Sequence, residues 1–302
     1  MTSGSDGVRT SPNRAGTRGA LREALATPAA KAAYVRDLFD EIAPRYDDIT
    51  VWLSYGRDAR WKDVLVRMAA VGAGDRALDL ACGTGDIAIR LRDAGAQVTG
   101  LDLTHRMLGL AAGKAEAHGI RWTCGDMLAL PVPDASFDIV TVGYGLRNVP
   151  DVAQSLAEIR RVLAPGGRML SLDFTLPPHP VVRRAYLAYL RAVGGMVGQW
   201  LHRDPDTYRY IPESLARYPG AGGVAELMRA EGFTDVSWWP LLGGLMAINV
   251  GHLPRRVVGD DDRGHRRAAT LVDYARDGRG PQATDPSTGG TEESAGTAAQ
   301  RQ

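Results

Sequence analysis

Residues 78–86, LDLACGTGD, are an apolar run that leads directly into a glycine-rich turn. The apolar pattern predicts a buried strand over 77–81, and the apolar spacing after the turn predicts a helix over 85–94. Gly83 and Gly85 can adopt a positive φ and let a ligand lie against the backbone. The first N–H groups of the helix, which have no partner within it, lie at the same place. The stretch therefore predicts an α/β sheet that binds a small polar cofactor at the carboxyl ends of its strands.

Strand and helix patterns alternate along the rest of the chain. We predict strands at 97–102, 120–124, 137–142, 167–175, 233–239 and 244–250, and helices at 33–42, 58–71, 105–118, 151–163, 180–217 with breaks, and 222–231. Strands that alternate with helices imply a parallel sheet. The last two strands are joined by the short segment PLLGG at 240–244, which predicts an antiparallel hairpin. The predicted fold is a doubly wound, mostly parallel α/β sheet of seven strands with a C-terminal antiparallel hairpin.

The composition predicts one globular domain between two polar tails. The chain has 302 residues and is 44% hydrophobic, which suits a single large α/β domain. We place this domain at 31–254 and expect disordered tails at 1–30 and 255–302, which are rich in small and polar residues. The first residues lack the apolar run of a signal peptide, and no stretch is apolar enough to span a bilayer. We therefore expect a cytoplasmic protein.

Charge and cysteine content argue against two classes of partner. Lys and Arg total 36 and Asp and Glu total 35, so the net charge is +1 and no basic field attracts nucleic acid. Cys82 and Cys124 are too few for a disulfide framework or a metal cluster, and the six histidines show no metal-ligand spacing. We expect neither a nucleic-acid partner nor a metal site.

Acidic residues in or after three neighbouring strands distinguish between two cofactors. A dinucleotide site needs Gly-x-Gly-x-x-Gly, and here Ala88 stands at the third glycine position. Asp79 lies in the first strand, Asp102 ends the second, and Asp126 follows the third. A carboxylate at Asp102 can accept both hydroxyls of a ribose. This series resembles the S-adenosylmethionine site of class I methyltransferases, whose ligand has no pyrophosphate. In the alternative interpretation, Asp102 and Asp126 are ordinary loop or cap aspartates.

Several longer runs are similar to those of one family, the ubiquinone/menaquinone biosynthesis C-methyltransferases. They are GYGLRNVPD at 143–151, RRVLAPGGR at 160–168, DTYRYIPES at 206–214, Tyr46-Asp47, LSYG at 53–56 and Trp61-Lys62. The resemblance covers about residues 35 to 252. It implies S-adenosylmethionine as methyl donor and the ring of a prenylated quinol as acceptor, most directly demethylmenaquinol converted to menaquinol. It also implies cofactor contacts from Asp79, Gly83, Thr84, Gly85, Asp102, Leu103, Asp126, Met127 and Gly143.

Three positions depart from the family pattern and keep other acceptors open. Residues 49–51 replace its Met-Asn-Asp, Asp58 stands where a His is common, and Asn249 stands where its closing strand often has a His. A second interpretation is therefore C- or O-methylation of a specialised aromatic or polyketide metabolite. A third is a non-catalytic S-adenosylmethionine-binding protein, against which the intact glycine turn and Arg147-Asn148 argue.

Arg147 and Asn148 are the candidate catalytic residues, because they follow the strand predicted at 137–142 where the sheet opens onto the cofactor. A quinol hydroxyl has a pKa of about 10, and lowering it to about 7 needs roughly 4 kcal/mol of preferential anion stabilisation. A buried guanidinium at Arg147 would supply it, directly or through a water, and Asn148 would orient the hydroxyl or that water. In the alternative interpretation, Arg147 pairs with Asp151 or caps the following helix.

Three tyrosines and one apolar segment are candidates for the acceptor side. We expect Tyr46 to close over the cofactor and the acceptor, and Tyr208 and Tyr210 to line the acceptor pocket; ordinary packing is the alternative for each. The apolar, glycine-interrupted segment 185–201 either packs as a core helix or admits a prenyl chain and contacts a membrane surface. Peripheral membrane contact and a homodimer are further hypotheses about partners.

Overall fold

The structure is a computed structural model that describes residues 26–54, 56–177, 179–201 and 210–255. The predicted C-terminal tail after residue 255, residues 1–25 of the N-terminal tail and Tyr208 lie outside the described residues. The domain bounds 31–254 stay a prediction.

The strands of the described residues form one seven-stranded sheet. They are β1 (Arg76–Leu80), β2 (Gln97–Asp102), β3 (Arg121–Cys124), β4 (Phe137–Gly143), β5 (Leu163–Phe174), β6 (Thr234–Leu241) and β7 (Met246–His252). Their order is β3-β2-β1-β4-β5-β7-β6, and all pairs from β3 to β5 are parallel. Strand β7 runs antiparallel to both β5 and β6. The predicted doubly wound sheet with a C-terminal antiparallel hairpin is confirmed.

Helices flank this sheet at most of the predicted places. They are α1 (Pro28–Ile42), α2 (Tyr46–Leu53), α3 (Asp58–Ala69), α4 (Asp86–Asp93), α5 (His105–Ala112), α6 (Val152–Val162), α7 (Pro180–Leu201), α8 (Tyr210–Arg217) and α9 (Gly220–Ala230). Helix α1 begins five residues before its predicted start, because the Thr27 side chain accepts from the Ala30 N–H at 3.2 Å and Pro28 suits the first helical turn. Helix α2 was not predicted.

Two boundaries differ from the prediction for local reasons. Helix α5 ends at Ala112 and not at 118, since Gly113 caps it and a short 3₁₀ turn, Ala115–Ala117, follows. Strand β5 begins at Leu163 and not at 167, so Pro165, Gly166 and Gly167 lie inside the strand and do not separate it from the preceding helix. The register between β4 and β5 shifts after Phe137, and Gly166 has a φ of 80° there, which is typical of a bulge.

The centre of the sheet sets the position of the site. Leu78 and Leu80 of β1 and Ile139 and Val140 of β4 are fully buried, so these two strands form a rigid core. From β1 the chain continues outward to β2 and β3, and then returns to the other side of β1 as β4. Ligands of doubly wound sheets bind where the strand order reverses in this way, at the carboxyl ends of the strands.

Candidate active site

A cavity lies at the carboxyl ends of β1, β2 and β4, where the strand order reverses. It encloses about 750 Å³, part of which is open to solvent. The cavity brings together predicted site residues from elements far apart in the chain: Tyr46, Gly83, Asp102, Leu103, Asp126, Met127, Gly143 and Asn148. We call the side formed by Ala81, Gly83, Asp102, Leu103 and Asp126 the cofactor wall, and the side formed by Tyr144 and Asn148 the acceptor wall.

The glycine turn of the cofactor wall has the geometry that its sequence predicts. Gly83 has a φ of 52° and Gly85 a φ of 85°, and Gly85 precedes the first turn of α4. A Cβ atom at Gly85 would lie 2.6 Å from Cη2 of Trp122, so this position also has no space for a side chain. At Gly83 the backbone lines the cavity without a side chain, and the N-terminus of α4 lies directly behind it.

Asp102 is held in place by backbone donors from two elements. Its Oδ2 accepts from the Gly83 N–H at 2.9 Å, and its Oδ1 accepts from the Thr104 N–H at 3.0 Å. Burial raises the pKa of the Asp102 carboxyl, and these hydrogen bonds oppose that effect. Each carboxylate oxygen has more than one acceptor site, so the anchored group can still accept ribose hydroxyls.

Asp126 makes the local bond of a loop aspartate and also lines the cavity. Its Oδ1 accepts from the Leu128 N–H at 2.9 Å, which is the local bond of an ordinary loop aspartate. The residue nevertheless lines the cavity beside Met127. The local bond fixes the carboxylate without removing it from the wall.

Three predicted cofactor contacts, Asp79, Thr84 and Gly85, are not on the cavity wall. The Asp79 side chain is fully buried within β1, where its Oδ1 accepts from the Thr141 hydroxyl at 2.8 Å. Its Oδ2 has no partner in the part of the chain that the structure describes, and burial raises the pKa of Asp79 to about 7. The Thr84 hydroxyl donates to Asp47. The Asp79 Oδ1 atom and the Thr84 hydroxyl bond to protein groups behind the turn; direct cofactor contact by the three residues stays a prediction.

Hydrogen bonds and ion pairs hold helix α2 against the glycine turn. Asp47 accepts from Thr84 and pairs with Lys114 at 3.0 Å. Lys114 also pairs with Asp86 at 2.9 Å, and Lys62 pairs with the same carboxylate at 3.0 Å. Burial disfavours the Asp86 carboxylate, but the two ammonium groups outweigh it and lower the pKa of Asp86 to about 2. This arrangement brings Tyr46, the neighbour of Asp47, to the cavity, as predicted.

Arg147 does not line the cavity, and its guanidinium binds protein groups instead. Nη1 donates to Oδ1 of Asp173 at 2.8 Å and to the Tyr144 carbonyl at 3.2 Å, and the group lies over the ring of Phe174 at 4.7 Å. The physical reason is that Asp173 offers a buried opposite charge at the end of β5. Asp151, the partner considered above, instead caps α6 through the Gln154 N–H. The Arg147 charge is thus already compensated, and direct activation of an acceptor by it stays a prediction.

Asn148 does line the cavity, and Tyr210 lies behind it. The Asn148 Nδ2 donates to the Tyr144 carbonyl at 2.8 Å, and the Tyr210 hydroxyl donates to the Asn148 Oδ1 at 3.1 Å. Tyr210 is only 2% exposed and is not on the cavity wall. The expectation that Tyr210 lines the acceptor pocket is therefore corrected: its hydroxyl is used by Asn148, and its ring packs on Tyr34.

The comparisons with known proteins identify the family. A family model described as the ubiE/COQ5 methyltransferase family matches residues 27–253. This chain belongs to the ubiE/COQ5 methyltransferase family. It is 42% identical over 221 residues to the demethylmenaquinone methyltransferase of Thermus thermophilus, covering 72% of this chain and 100% of that protein. It is 39% identical over 223 residues to the 2-phytyl-1,4-naphtoquinone methyltransferase of Nostoc punctiforme, covering 72% and 96%.

A solved structure supports the fold of this ubiE/COQ5 family member independently. The S-adenosylmethionine-dependent methyltransferase of Thermotoga maritima superimposes with a TM-score of 0.52 at 18% identity, over 72% of this chain and 98% of that one. The class I methyltransferase fold expected from the sequence is thus shown. The chain is an S-adenosylmethionine-dependent methyltransferase.

The residues of the cavity fit this cofactor. Gly83, Gly125 and Gly143 all line the cavity, and a Cβ atom at Gly143 would lie 2.5 Å from Cδ1 of Ile87. The cavity wall therefore has three positions at which no side chain limits the approach of a ligand to the backbone. The anchored carboxylate of Asp102 supplies acceptors for ribose hydroxyls.

Two residues were missed in the sequence, one on the acceptor wall and one behind it. Tyr144 has a φ of 59°, and its hydroxyl donates to Asp58 at 2.7 Å. Asp58 in turn pairs with Lys62 at 2.6 Å. Asp173 is the second omission, although a signal was available: like Asp102, it stands at the carboxyl end of a buried strand.

The helices of the described residues differ in length and in apolar character. None combines the length and the apolar character that a transmembrane passage needs. The longest, α7, carries exposed Val181, Val182 and Tyr189 on its first turns.

Proposed function

We propose that this chain transfers the methyl group of S-adenosylmethionine to a ring carbon of a prenylated quinol, most directly demethylmenaquinol, which becomes menaquinol. The observation that carries the proposal is the match over the full length of a demethylmenaquinone methyltransferase at 42% identity. The two-sided cavity supports it, because one wall suits a nucleoside and the other presents an amide beside aromatic rings.

Bound S-adenosylmethionine supplies an electrophilic methyl group. The residues of the chain have to align the acceptor carbon with that methyl, and good alignment is worth roughly 7–11 kcal/mol of the barrier. Asp102 and Gly83 fix one side of the cavity, so the acceptor approaches from the side of Tyr144 and Asn148. Tyr46 covers the glycine turn, with its Cε1 atom 3.4 Å from where a Gly83 Cβ would stand, and limits the access of water.

The acceptor ring must also become electron-rich before it attacks the methyl group. A quinol oxygen that loses its proton donates electron density to the ring, and hydrogen-bond donors at that oxygen favour the anion. Asn148 is the residue on the wall that offers such a donor. Arg147 supports it by bonding Asp173 and the Tyr144 carbonyl, which fixes the turn from 144 to 148. When the new carbon–carbon bond forms, the hydrogen on that ring carbon leaves as a proton.

A further part of the proposal concerns contact with a membrane. A prenylated quinol dissolves in the bilayer, and the first turns of α7 expose Val181 by 65% and Val182 by 50% beside Arg183 and Arg184. Apolar and basic side chains on one helix suit an anionic lipid surface. Co-sedimentation with anionic liposomes should fall when Val181 and Val182 are replaced by Glu; unchanged co-sedimentation would exclude this helix as the contact.

A second candidate function, methylation of a specialised aromatic metabolite, rests on the departures from the family pattern. Asn249 no longer supports it, because its amide donates to the Ala221 carbonyl at 2.8 Å and the residue does not line the cavity. Asp58 does support it, since this residue bonds the hydroxyl of Tyr144 on the acceptor wall. The choice of acceptor therefore has to be measured.

The test is methyl transfer to chemically reduced demethylmenaquinone with a short prenyl chain, under anaerobic conditions. The protein is incubated with this quinol and S-adenosylmethionine carrying a ¹³C methyl group, and the products are oxidised and analysed by mass spectrometry. We expect labelled menaquinone, because a C-methylated quinol can still be oxidised to a quinone. A labelled product that resists oxidation would indicate O-methylation. The absence of labelled quinone products while S-adenosylmethionine binds would overturn the proposed acceptor.

A further inference from the structure

The amide of Asn148 has a defined orientation at the acceptor wall. One of its polar atoms faces the carbonyl oxygen of Tyr144 at 2.8 Å. A carbonyl oxygen can only accept, so the atom that faces it is the NH₂ group. The other polar atom, Oδ1, must then accept, and the Tyr210 hydroxyl lies 3.1 Å from it.

This orientation leaves Asn148 with one kind of hydrogen-bonding group for a ligand. The first hydrogen of Nδ2 is used by Tyr144, and the second has no acceptor within the described segments. Because the Tyr210 hydroxyl occupies Oδ1, the group that remains is an N–H donor. A donor stabilises an oxygen that gains negative charge, whereas a free amide oxygen would favour the protonated hydroxyl.

Tyr210 is well suited to fix this orientation. It begins α8, lies 62 residues from Asn148 in the chain and is almost completely buried, with its ring tilted against Tyr34 at 5.6 Å between centroids. Burial raises the pKa of the Tyr210 hydroxyl, which therefore keeps its proton and remains a donor at neutral pH. It lies behind Asn148 and does not line the cavity.

We propose that Tyr210 is a positioning residue, which fixes the Asn148 amide so that its free N–H is offered to the acceptor oxygen on which negative charge develops. The inference rests on the proposed function, because it assumes an acceptor with an ionisable ring oxygen. It assigns Tyr210 a role in turnover without contact to either substrate. Without the Tyr210 hydroxyl, Oδ1 loses its donor, and of these two bonds only the one from Nδ2 to the Tyr144 carbonyl still holds the amide.

The kinetic test compares Tyr210→Phe, Asn148→Ala and the double variant, with chemically reduced demethylmenaquinone as acceptor. We expect Tyr210→Phe to lower kcat about tenfold, the usual effect of one lost hydrogen bond, with the KM for the quinol and the Kd for S-adenosylmethionine changed less than twofold. The rate should also recover at higher pH, where the acceptor ionises without help. In the Asn148→Ala background, Tyr210→Phe should have no further effect, because Tyr210 acts through Asn148. A full tenfold loss in that background would overturn the proposal.

A readout independent of activity uses the side-chain amide resonances of Asn148 in the ¹⁵N-labelled protein, assigned by their loss in Asn148→Ala. In the wild type, we expect a resolved pair that exchanges slowly with water. In Tyr210→Phe, the pair should shift and exchange faster. An unchanged pair would overturn the proposal, even if the wild type proved inactive on the quinol.

Tyr218→Phe is the matched control. Tyr218 is also buried, at 9% exposure, and follows α8, but it makes no hydrogen bond to Asn148. We expect this variant to keep both the wild-type kcat and the Asn148 resonances. If Tyr218→Phe reproduced the effects of Tyr210→Phe, a general packing effect of α8 would replace the proposed role. A wild type without quinol methylation, but with Asn148 resonances sensitive to Tyr210, would overturn the proposed function and leave the positioning role supported.

Discussion

The cofactor wall and the acceptor wall are built in different ways. The cofactor wall consists of turns at the ends of consecutive strands, and its bonds involve backbone N–H groups, such as Gly83 to Asp102. The acceptor wall depends on bonds between side chains distant in sequence: Tyr144 to Asp58 spans 86 residues, and Tyr210 to Asn148 spans 62. A binding surface formed by the backbone keeps its shape when many residues are substituted. A surface formed by side chains can be altered by a single substitution. We therefore expect cofactor use to depend on the fold and acceptor choice to depend on individual contacts.

The cofactor wall and the acceptor wall also differ in the ionisable groups that are buried behind them. The buried ion pair behind the acceptor wall gives the largest predicted effect on stability. Behind the acceptor wall, Arg147 and Asp173 are a buried pair with side-chain exposures of 8% and 5%. Arg147→Ala leaves the Asp173 carboxylate buried and unpaired, which should lower the free energy of unfolding by about 3–5 kcal/mol. Urea denaturation followed by circular dichroism measures this.

Arg76→Ala is the control for that measurement, because it removes a pair of similar geometry on the surface. The Arg76 and Asp138 side chains are 43% and 34% exposed, and exposed pairs contribute about 0–1 kcal/mol. Equal losses for Arg147→Ala and Arg76→Ala would contradict the description of the acceptor wall as a buried, charge-paired assembly.

Beneath the cofactor wall lies the buried carboxyl of Asp79. Burial raises the pKa of this group to about 7. The folded chain keeps this proton up to about pH 7, whereas the unfolded chain loses it near the ordinary pKa of 3.8. Stability should therefore fall as the pH rises between these values and become constant above them. Between pH 5 and pH 8 we expect Asp79 to contribute a loss of about 2.5 kcal/mol.

Asp79→Asn isolates this contribution, because the amide keeps the shape of the side chain and does not titrate. Its free energy of unfolding should vary less between pH 5 and pH 8 than that of the wild type, by the amount that Asp79 contributes. Parallel pH profiles for the two proteins, measured by urea denaturation, would show that Asp79 is ionised in the folded chain at pH 5.

The smallest of these effects separates the functions of the two walls. Asp102→Asn removes a charged acceptor that Gly83 and Thr104 hold in place, and should weaken S-adenosylmethionine binding about 10–100-fold, as for one or two charge-assisted hydrogen bonds. Asn148→Ala should leave that affinity within twofold while turnover falls. Isothermal titration calorimetry measures both affinities. Loss of cofactor affinity in Asn148→Ala would show that the two walls are not separable.

The difference between the walls also explains what could be predicted from the sequence. The sheet, its hairpin and the glycine turn follow from local patterns, and Asp102 was found because a strand end dictates where its carboxylate lies. Tyr210 was wrongly expected on the acceptor pocket, since nothing in its neighbours along the chain shows that Asn148 lies in front of it. The pairing of Arg147 with Asp173 was missed for the same reason: it depends on how β4 and β5 bring their ends together. Contacts of this kind need the folded chain.

Methyl transfer to a ring carbon at this cavity requires that the carbon lose its hydrogen. Isotopic labelling of that hydrogen therefore shows whether the ring carbon is methylated. The acceptor is demethylmenaquinol with deuterium at the unsubstituted ring carbon, incubated with the wild-type protein and S-adenosylmethionine carrying a ¹³C methyl group. Mass spectrometry should show a product that has gained the labelled methyl and lost the deuterium, because the new bond replaces that hydrogen. A product that carries the labelled methyl and keeps the deuterium would contradict the account.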